Sequence, residues 1–525
     1  MRWIDYFDRG WEISPHGPCL IDDDADGQAK TYSYTEVRDL TLRISGGLID
    51  SGFKRGRHGA VLSFNHPLSV STTLAIMRAG LVWVPLNPRN GLADNAALLE
   101  SFDCDILFFH SDFADALELF RKSAPSIERF VCLDADLGDD SLEAFIANQD
   151  ALERPFDYDP LDTVMMGGTG GTTGKPKGVM QTHRGTNLQT LLMMATMPFT
   201  KRPVYLAVAP LTHAAGYVTY PIFAQGGTVV LQRAPNIGRF LRAIPKYSVS
   251  CTFLPPTVIY SVLSDPGVRD VDFSSLEYFA YGASPMSASR LREAIEVLGP
   301  IFIQWFGQTE TLFPLTWLPR EDHFVDRKLG GEIVSDDKLR TCGRAAPGVK
   351  MAVMSQEGTL LPDGEVGELV CRTEMVMKGY YKNPEATAEA KAHGWFHTGD
   401  LGFRDPDGYY YVVDRAKDMI ITGGFNVYST EVESAVLTHP AVQECAVIGI
   451  PDEKWGEAIK AVVELKSGAD LDADTLIKHC KAAIGSVKAP KSVDFINEIP
   501  RSPVGKVLKR ELRSKYWSAS DRQVG

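Results

Sequence analysis

Apolar residues arrive in short runs separated by polar, glycine-containing turns, and the runs alternate between two periods. Residues 60–64 (Ala-Val-Leu-Ser-Phe) follow a turn at 54–59 and predict a buried strand. Residues 69–79 carry helical spacing, Gly80 stops them, and residues 81–86 return as a strand ended by Asn87-Pro88. The same strand–helix–strand order recurs at 204–208, at 217–225 with 228–231, and at 252–254 with 256–263. Such alternation predicts α/β layers with largely parallel sheets.

Beyond residue 340 the pattern changes. Residues 349–354, 367–372 and 409–413 read as short strands between Gly, Asp and Pro turns, a small β-rich subdomain. A charged junction at 415–418 follows. After it come a helix at 431–438 with Ser429 or Thr430 as N-cap, strands at 444–450 and 458–465, a helix at 472–483 and a strand near 493–496. That is a separate α+β domain, and any chemistry it shares with earlier residues requires a cleft.

A chain of 525 residues exceeds what one core supports, so roughly two to four domains or subdomains are expected. The net charge of −13 argues against a general nucleic-acid or anionic-membrane surface, while a local basic pocket for phosphates remains compatible with it. The eight cysteines are scattered, without CxxC or histidine at metal spacing, which fits buried thiols in a reducing cytosol. Met-Arg-Trp-Ile-Asp at the start has no apolar signal-peptide core. The apolar stretch 74–86 is broken by Arg78 and Gly80, and the final Arg-Gln-Val-Gly matches no peroxisomal or prenylation signal. A cytoplasmic protein without a transmembrane segment is expected, and a homodimer is left open.

The richest chemical signal is Met166-Gly-Gly-Thr-Gly-Gly-Thr-Thr-Gly-Lys-Pro-Lys-Gly-Val-Met180. Residues 167–177 hold five glycines, three threonines and two lysines, a combination that suits a polyphosphate. It is not a Walker A loop, because Thr169 stands where its first glycine belongs and Pro176 where Ser or Thr is needed. Nor is it GxGxxG, since Thr173 replaces the third glycine. Gln304-Trp-Phe-Gly-Gln-Thr-Glu310 follows an apolar strand at 300–303. There Phe306 can stack on a base, Gly307 permits close approach, Thr309 can bond a phosphate and Glu310 can hold Mg²⁺. Trp395-Phe-His-Thr-Gly-Asp400 precedes a strand and offers a carboxylate to ribose hydroxyls, with Arg415 as a further donor. Pro500-Arg-Ser-Pro-Val-Gly-Lys506 places a lysine on a Gly/Pro turn before a helix-like stretch at 507–515. Each block alone also fits a turn, a strand end or a solvated basic tail.

Their order is more telling. Phosphate loop, aromatic-Gly-x-Thr-Glu, Thr-Gly-Asp, Asp414-Arg-Ala-Lys-Asp418 and the terminal Gly-Lys resemble the adenylate-forming superfamily of acyl-CoA synthetases, peptide-synthetase adenylation domains and luciferase. Pro210-Leu-Thr-His213, Tyr281-Gly-Ala-Ser284, Gly364-Glu-Val-Gly-Glu-Leu369 and Gly379-Tyr-Tyr-Lys-Asn-Pro-Glu-Ala-Thr387 extend the resemblance. It implies a large N-terminal domain (1–415) of layered α/β subdomains plus the β-rich subdomain, a hinge (416–418) at Lys417, and a smaller mobile α+β C-terminal domain (419–525). It implies ATP, Mg²⁺ and CoA, and a two-step reaction in which acid and ATP give acyl-AMP and CoA then gives acyl-CoA.

By family position, Thr169, Gly171, Thr172, Thr173, Gly174 and Lys177 wrap the phosphates, with Thr172 also toward the metal. Gly282, Ala283, Ser284, Gln304 and Phe306 receive adenine, while Asp400 and Arg415 hold ribose. Thr309, Glu310 and Lys506 are the catalytic set, Glu310 binding Mg²⁺. Gly423, Gly424, Phe425 and Trp455 line the CoA path. The acid pocket draws on His213, Gly216, Tyr217, Tyr281, Gly282, Trp305, Gly307, Gln308, Leu312 and Phe313. Those residues are mostly aromatic or small, and residues 210–220 contain no acidic side chain to grip an ammonium. A neutral, fairly bulky acid is expected, aryl or arylalkyl before fatty. The alternative is a stand-alone adenylation enzyme that loads a carrier protein. Two positions depart from common family patterns: Gly170 lacks the usual hydroxyl, and Val487 stands where some relatives have an aromatic.

Overall fold

The computed structural model describes residues 1–24, 28–169, 176–502 and 507–517. Chain contacts divide it into two compact units, Met1–Lys350 with Arg372–Phe396, and Met351–Cys371 with His397–Gly525. The first unit is built on two large, mostly parallel sheets. In the eight-stranded sheet, His58–Leu62 lies between Val82–Leu86 and Ile106–Phe109, all three parallel. Every residue of His58–Leu62 and of Val82–Leu86 is buried. This is why these segments read as continuous apolar runs and not as alternating ones. Ala60, Leu62, Val84, Leu86, Leu107 and Phe109 fill one face against Leu99, Phe102 and Phe120.

The sheet then changes direction. Thr163–Thr169 runs parallel beside Val82–Leu86, and Lys177–Thr182 folds back antiparallel to it. The short strand Gly379–Tyr380 adds to the outer edge, Tyr380 opposite Val179. The glycine-rich loop thus joins two strands of a hairpin, with Thr169 and Lys177 paired at its base.

In the nine-stranded sheet, Val204–Ala207, Cys251–Leu254, Tyr278–Gly282 and Phe302–Gln308 are consecutive parallel neighbours. Leu312–Leu318 returns antiparallel to the last of them. The strand expected at 300–303 therefore continues through Gln304, Trp305 and Phe306. Pairing with both Tyr278–Gly282 and Leu312–Leu318 outweighs the turn signal of Gly307, which coincides with a register shift between Phe306 and Gln308. The helix expected at 217–225 is two short ones, Ala214–Tyr217 and Thr219–Phe223.

The second unit contains all but three end residues (Lys350, Arg372 and Phe396) of the four-stranded sheet Lys350–Met354, Gly367–Arg372, Phe396–Arg404 and Tyr410–Arg415, together with the C-terminal α+β elements. Helix Ser429–Leu437 is capped at Tyr428 without a side-chain bond. Ser429 and Thr430, the expected caps, spend their hydroxyls elsewhere. Ser429 Oγ donates to Asp414 Oδ1 at 3.1 Å and Thr430 Oγ1 donates to the Val413 carbonyl. These bonds tie Ser429–Leu437 to the strand before the 416–418 turn, so the boundary expected at 415 falls within this unit. Asp472, read as the first residue of a helix at 472–483, is instead the N-cap of Ala473–Lys488 and accepts from the Thr475 amide. The helix-like stretch at 507–515 contracts to Lys509–Arg513.

All eight cysteines are buried and free. Among the described residues no helix is long and apolar enough to cross a membrane. Two buried histidines, His183 and His323, are each pushed down from 6.5 to about 4, chiefly by burial. The unfolded chain binds more protons than the native one between these values, so stability is present above 6.5 and falls as pH drops toward 4. Linkage puts the loss at about 3 kcal/mol per histidine at pH 4. His183→Gln is expected to flatten the pH dependence of the urea midpoint over this window, and an unchanged slope would contradict it.

Candidate active site

Thr309 and Glu310 lie in the turn between Phe302–Gln308 and Leu312–Leu318, against the hairpin of Thr163–Thr169 and Lys177–Thr182. Gln181 donates through Nε2 to the Thr309 carbonyl, and the Met377 amide donates to the Glu310 carbonyl at 2.7 Å. A Cβ placed on Gly167 would stand 3.0 Å from Thr309 Cγ2, so the hairpin and this turn are in contact. Tyr380 Oη donates to Glu310 Oε1 at 3.1 Å, and Lys177 Nζ lies 4.9 Å from the centre of the Tyr380 ring. Burial, followed by the Glu310 carboxylate, pushes the Tyr380 phenol above its ordinary value, so it remains a neutral donor. Gly171, Thr172, Thr173, Gly174 and Lys506 lie outside the described residues.

Gln181 and Tyr380 were not singled out by the sequence reading. The Gly-Tyr-Tyr block hinted at Tyr380, but nothing in its spacing from Glu310, 70 positions away, announces the bond.

The expected adenine residues gather at two adjacent strand ends. Gly282 pairs with Trp305, and Tyr281 with Gln304. Phe306 is half-buried at this edge. Ala283 has φ 69°, in the left-handed region, where a residue with a Cβ costs on the order of 1 kcal/mol. The strain turns the chain out of the strand directly beside Gly282.

The expected acid-pocket residues form an aromatic cluster. Phe313 packs against Tyr217 edge-on at 5.6 Å, Trp305 at 5.8 Å and Phe253 at 6.4 Å between ring centres. Phe253, contributed by the strand Cys251–Leu254, had not been anticipated. Tyr217 Oη donates to Met165 Sδ at 3.4 Å, and burial raises its phenol, which stays neutral. Tyr281 is buried, its hydroxyl 3.3 Å from His323 Nε2. His213 and Gln308 are half-buried, and Leu312 is buried at φ 55°.

The glycines of this set have a packing role. A Cβ on Gly307 would fall 2.2 Å from the Leu312 carbonyl oxygen and 2.7 Å from Phe313 Cβ. One on Gly282 would meet the Trp305 oxygen at 2.5 Å, and one on Gly216 the Leu211 oxygen at 1.9 Å. Backbone stands in the way in each case. Gly307→Ala is therefore expected to destabilise the first unit by about 2 kcal/mol or more through overpacking. A denaturant midpoint equal to wild type would contradict this.

In the second unit, Asp400 lies within Phe396–Arg404 and not before a strand as expected, because it pairs with Arg415 across the antiparallel partner. The Arg415 guanidinium reaches the buried Asp400 carboxylate at 2.6 Å. Ala416, Lys417 and Asp418 form the turn that follows, with the Asp418 amide donating to Arg415 O at 2.9 Å. The Gly423 amide donates to Trp455 O at 2.8 Å, and Gly423 adopts φ 57° with the Trp455 indole directly above it. Any Cβ there would sit 2.6 Å from the ring. Trp455 is 44% and Phe425 59% exposed, so neither is a core residue.

The donor set at Glu310 suits Mg²⁺. Glu310 Oε2 makes no hydrogen bond or ion pair among the described residues, whereas Oε1 is occupied by Tyr380. No cluster of three or more His, Cys, Asp or Glu side chains occurs among the described residues. One carboxylate acting with substrate phosphates is the usual way to bind this ion.

A parallel-sheet platform, a glycine-rich hairpin and a Thr-Glu turn define a nucleotide-handling enzyme. The family model "AMP-binding enzyme" matches residues 7–381, and "AMP-binding enzyme C-terminal domain" matches 431–506. The chain belongs to this family, the adenylate-forming enzymes. It is 34% identical to a medium/long-chain-fatty-acid–CoA ligase, FadD8, of Mycobacterium tuberculosis, covering 89% of this chain and 82% of the relative. It is also 34% identical to a feruloyl-CoA synthase of Amycolatopsis sp, covering 97% and 98%. The fold matches that of ATP-bound MatB from Rhodopseudomonas palustris with a TM-score of 0.87 at 27% identity, over 98% of this chain and 99% of that one.

Proposed function

We propose that the chain joins a neutral, bulky carboxylic acid to CoA at the expense of ATP, with aryl and arylalkyl acids preferred to fatty acids. It is an AMP-forming acid–thiol ligase. The observation that carries the site reading is the convergence of the loop hairpin, Thr309, Glu310 and Tyr380 on one patch of the first unit. The aromatic cluster of Tyr217, Phe253, Trp305 and Phe313 supports the choice of acid. The relative named for ferulate supports an aryl acid, and the relative named for fatty acids supports fatty acids as the second class.

In the first step a carboxylate oxygen attacks the α-phosphorus and pyrophosphate leaves. Lys177 and the loop threonines hold the outgoing phosphates, and Thr309 orients the α-phosphate. Lys506 brings its charge to the carboxylate and the α-phosphate. Mg²⁺, when held by Glu310, neutralises phosphate charge. Asp400 and Arg415 hold ribose, and Phe306 covers adenine. The protein performs no covalent work here, so alignment and fixed charge supply the rate. In the second step the CoA sulfur attacks the acyl carbonyl, its proton passes to solvent and AMP departs. Gly423 and Gly424 leave a backbone path for pantetheine, with Phe425 and Trp455 as exposed contact surfaces. Lys417 is the hinge that exchanges the two arrangements.

A pyrophosphate-release assay, run with aryl, fatty and acetic acids and with or without CoA, tests the proposal. Bulky acids should release pyrophosphate and yield a thioester only when CoA is present, with acetate far slower. Acid-dependent release with no thioester from CoA would favour carrier-protein loading instead.

A further inference from the structure

Tyr380 stands between the two charged groups that the reaction brings to the phosphates. Its strand, Gly379–Tyr380, is hydrogen-bonded to the outer strand of the phosphate-loop hairpin. Its hydroxyl donates to Glu310 Oε1 at 3.1 Å, and its ring lies 4.9 Å beneath the Lys177 ammonium. The backbone just before it is fastened to the same two elements. The Met377 amide donates to Glu310 O at 2.7 Å and the Lys378 amide to Met180 O at 2.8 Å. Three bonds therefore fix residues 377–380 against the Glu310 turn and the hairpin strand, and the Tyr380 side chain is half-buried.

We infer that Tyr380 is a positioning residue that aims the Glu310 carboxylate at Mg²⁺ and seats Lys177 beside the phosphate loop. This inference rests on the site reading above.

A carboxylate on a turn rotates freely about its last torsion. A neutral donor on Oε1 selects one orientation and presents Oε2, which is free of partners among the described residues. A phenol suits the task because it donates one bond without adding charge, whereas a lysine at the same place would compete with the metal. Partners of this kind behind a metal ligand are typically worth about 10- to 100-fold in metal affinity. The ring acts separately. It holds the Lys177 ammonium by cation–π attraction, a contact weak enough to yield when phosphate oxygens arrive. The hydroxyl and the ring thus serve different partners, and different substitutions separate them.

Tyr380→Phe removes the bond to Glu310 and keeps the ring. Tyr380→Leu removes both. The readout is binding, with Mn²⁺ followed by electron paramagnetic resonance in the presence of α,β-methylene-ATP, and nucleotide affinity measured separately in EDTA. Tyr380→Phe should weaken Mn²⁺ binding about tenfold and leave metal-free nucleotide affinity and the thermal midpoint at wild-type values. Tyr380→Leu should show the same metal defect and, in addition, weaker nucleotide binding in EDTA. Wild-type Mn²⁺ affinity in Tyr380→Phe would overturn the inference. So would equal losses in Mn²⁺ and metal-free nucleotide binding by that variant, since these would mark a merely structural role. Failure of the wild-type protein to take up Mn²⁺ with nucleotide would instead overturn the site reading on which the inference depends.

Discussion

Lys506→Ala is expected to slow acyl-adenylate formation by about 10²-fold or more, while thioester formation from supplied acyl-AMP stays near the wild-type rate. The expectation rests on sequence and on how the flanking residues are anchored. Arg501 and Val507 bridge, and the Leu508 amide donates to Pro500 O at 2.8 Å, so the ends of the segment that carries Lys506 are held together. Arg501 pairs with Glu444 on one side. On the other, the Lys509 ammonium meets Glu433 at 2.7 Å and Ser429 Oγ at 2.6 Å, and Arg513 meets Asp418 at 2.6 Å. The neighbouring cations are therefore committed to protein carboxylates. Lys506 has no carboxylate beside it in the sequence, and its charge suits the one that accumulates on the pentavalent phosphorus. Single-turnover kinetics of each half-reaction checks this. A mutant that adenylates normally, or that loses both steps equally, has had its lysine misassigned.

Lys417→Pro is expected to separate the two steps in the opposite sense. Acyl-AMP formation should survive and thioester formation should collapse. Proline fixes φ near −65°, removes an amide and restricts Ala416 before it. The turn at Lys417 lies one residue from Asp418, which is held by Arg513, and three from Asp414, which is held by Ser429. Both anchors hold the turn to the same C-terminal elements, so rotation at Lys417 has to break the Asp414–Ser429 bonds that span it. Rapid-quench measurement of acyl-AMP and acyl-CoA on the same mutant decides the matter. Wild-type rates for both would show that the pivot lies elsewhere.

Much of this molecule can be read from its chain, and the unreadable parts share a cause. The parallel strands were legible because each is buried on both faces, so Ala60–Leu62 and Val82–Leu86 are apolar without interruption. The start of the helix at 472–483 was legible to within one residue because what sets it, Asp472 accepting from the Thr475 amide, is local. Ser429 misled because its partner, Asp414, lies across the 416–418 turn. Gln304–Phe306 looked like a strand end because Gly307 resembles a turn, whereas pairing on both sides carries the strand onward. Among the candidate residues, Thr309 and Glu310 of the first unit and Asp400 and Arg415 of the second were named from ordered motifs. Tyr380, Gln181 and Phe253 could not, since their importance comes from contacts between distant strands. The glycines carried a further ambiguity. Gly307 and Gly282 read as open space for a substrate, but the atoms nearest to them are backbone.

The central claim is that the acid's own oxygen attacks the α-phosphorus before CoA takes the acyl group. Turnover of an aryl acid labelled with ¹⁸O in its carboxylate tests it most directly, with AMP, pyrophosphate and thioester analysed by mass spectrometry. The account predicts one ¹⁸O in the phosphate of AMP for each acyl-CoA formed, and none in pyrophosphate. Unlabelled AMP, or ADP and labelled inorganic phosphate in its place, would contradict it.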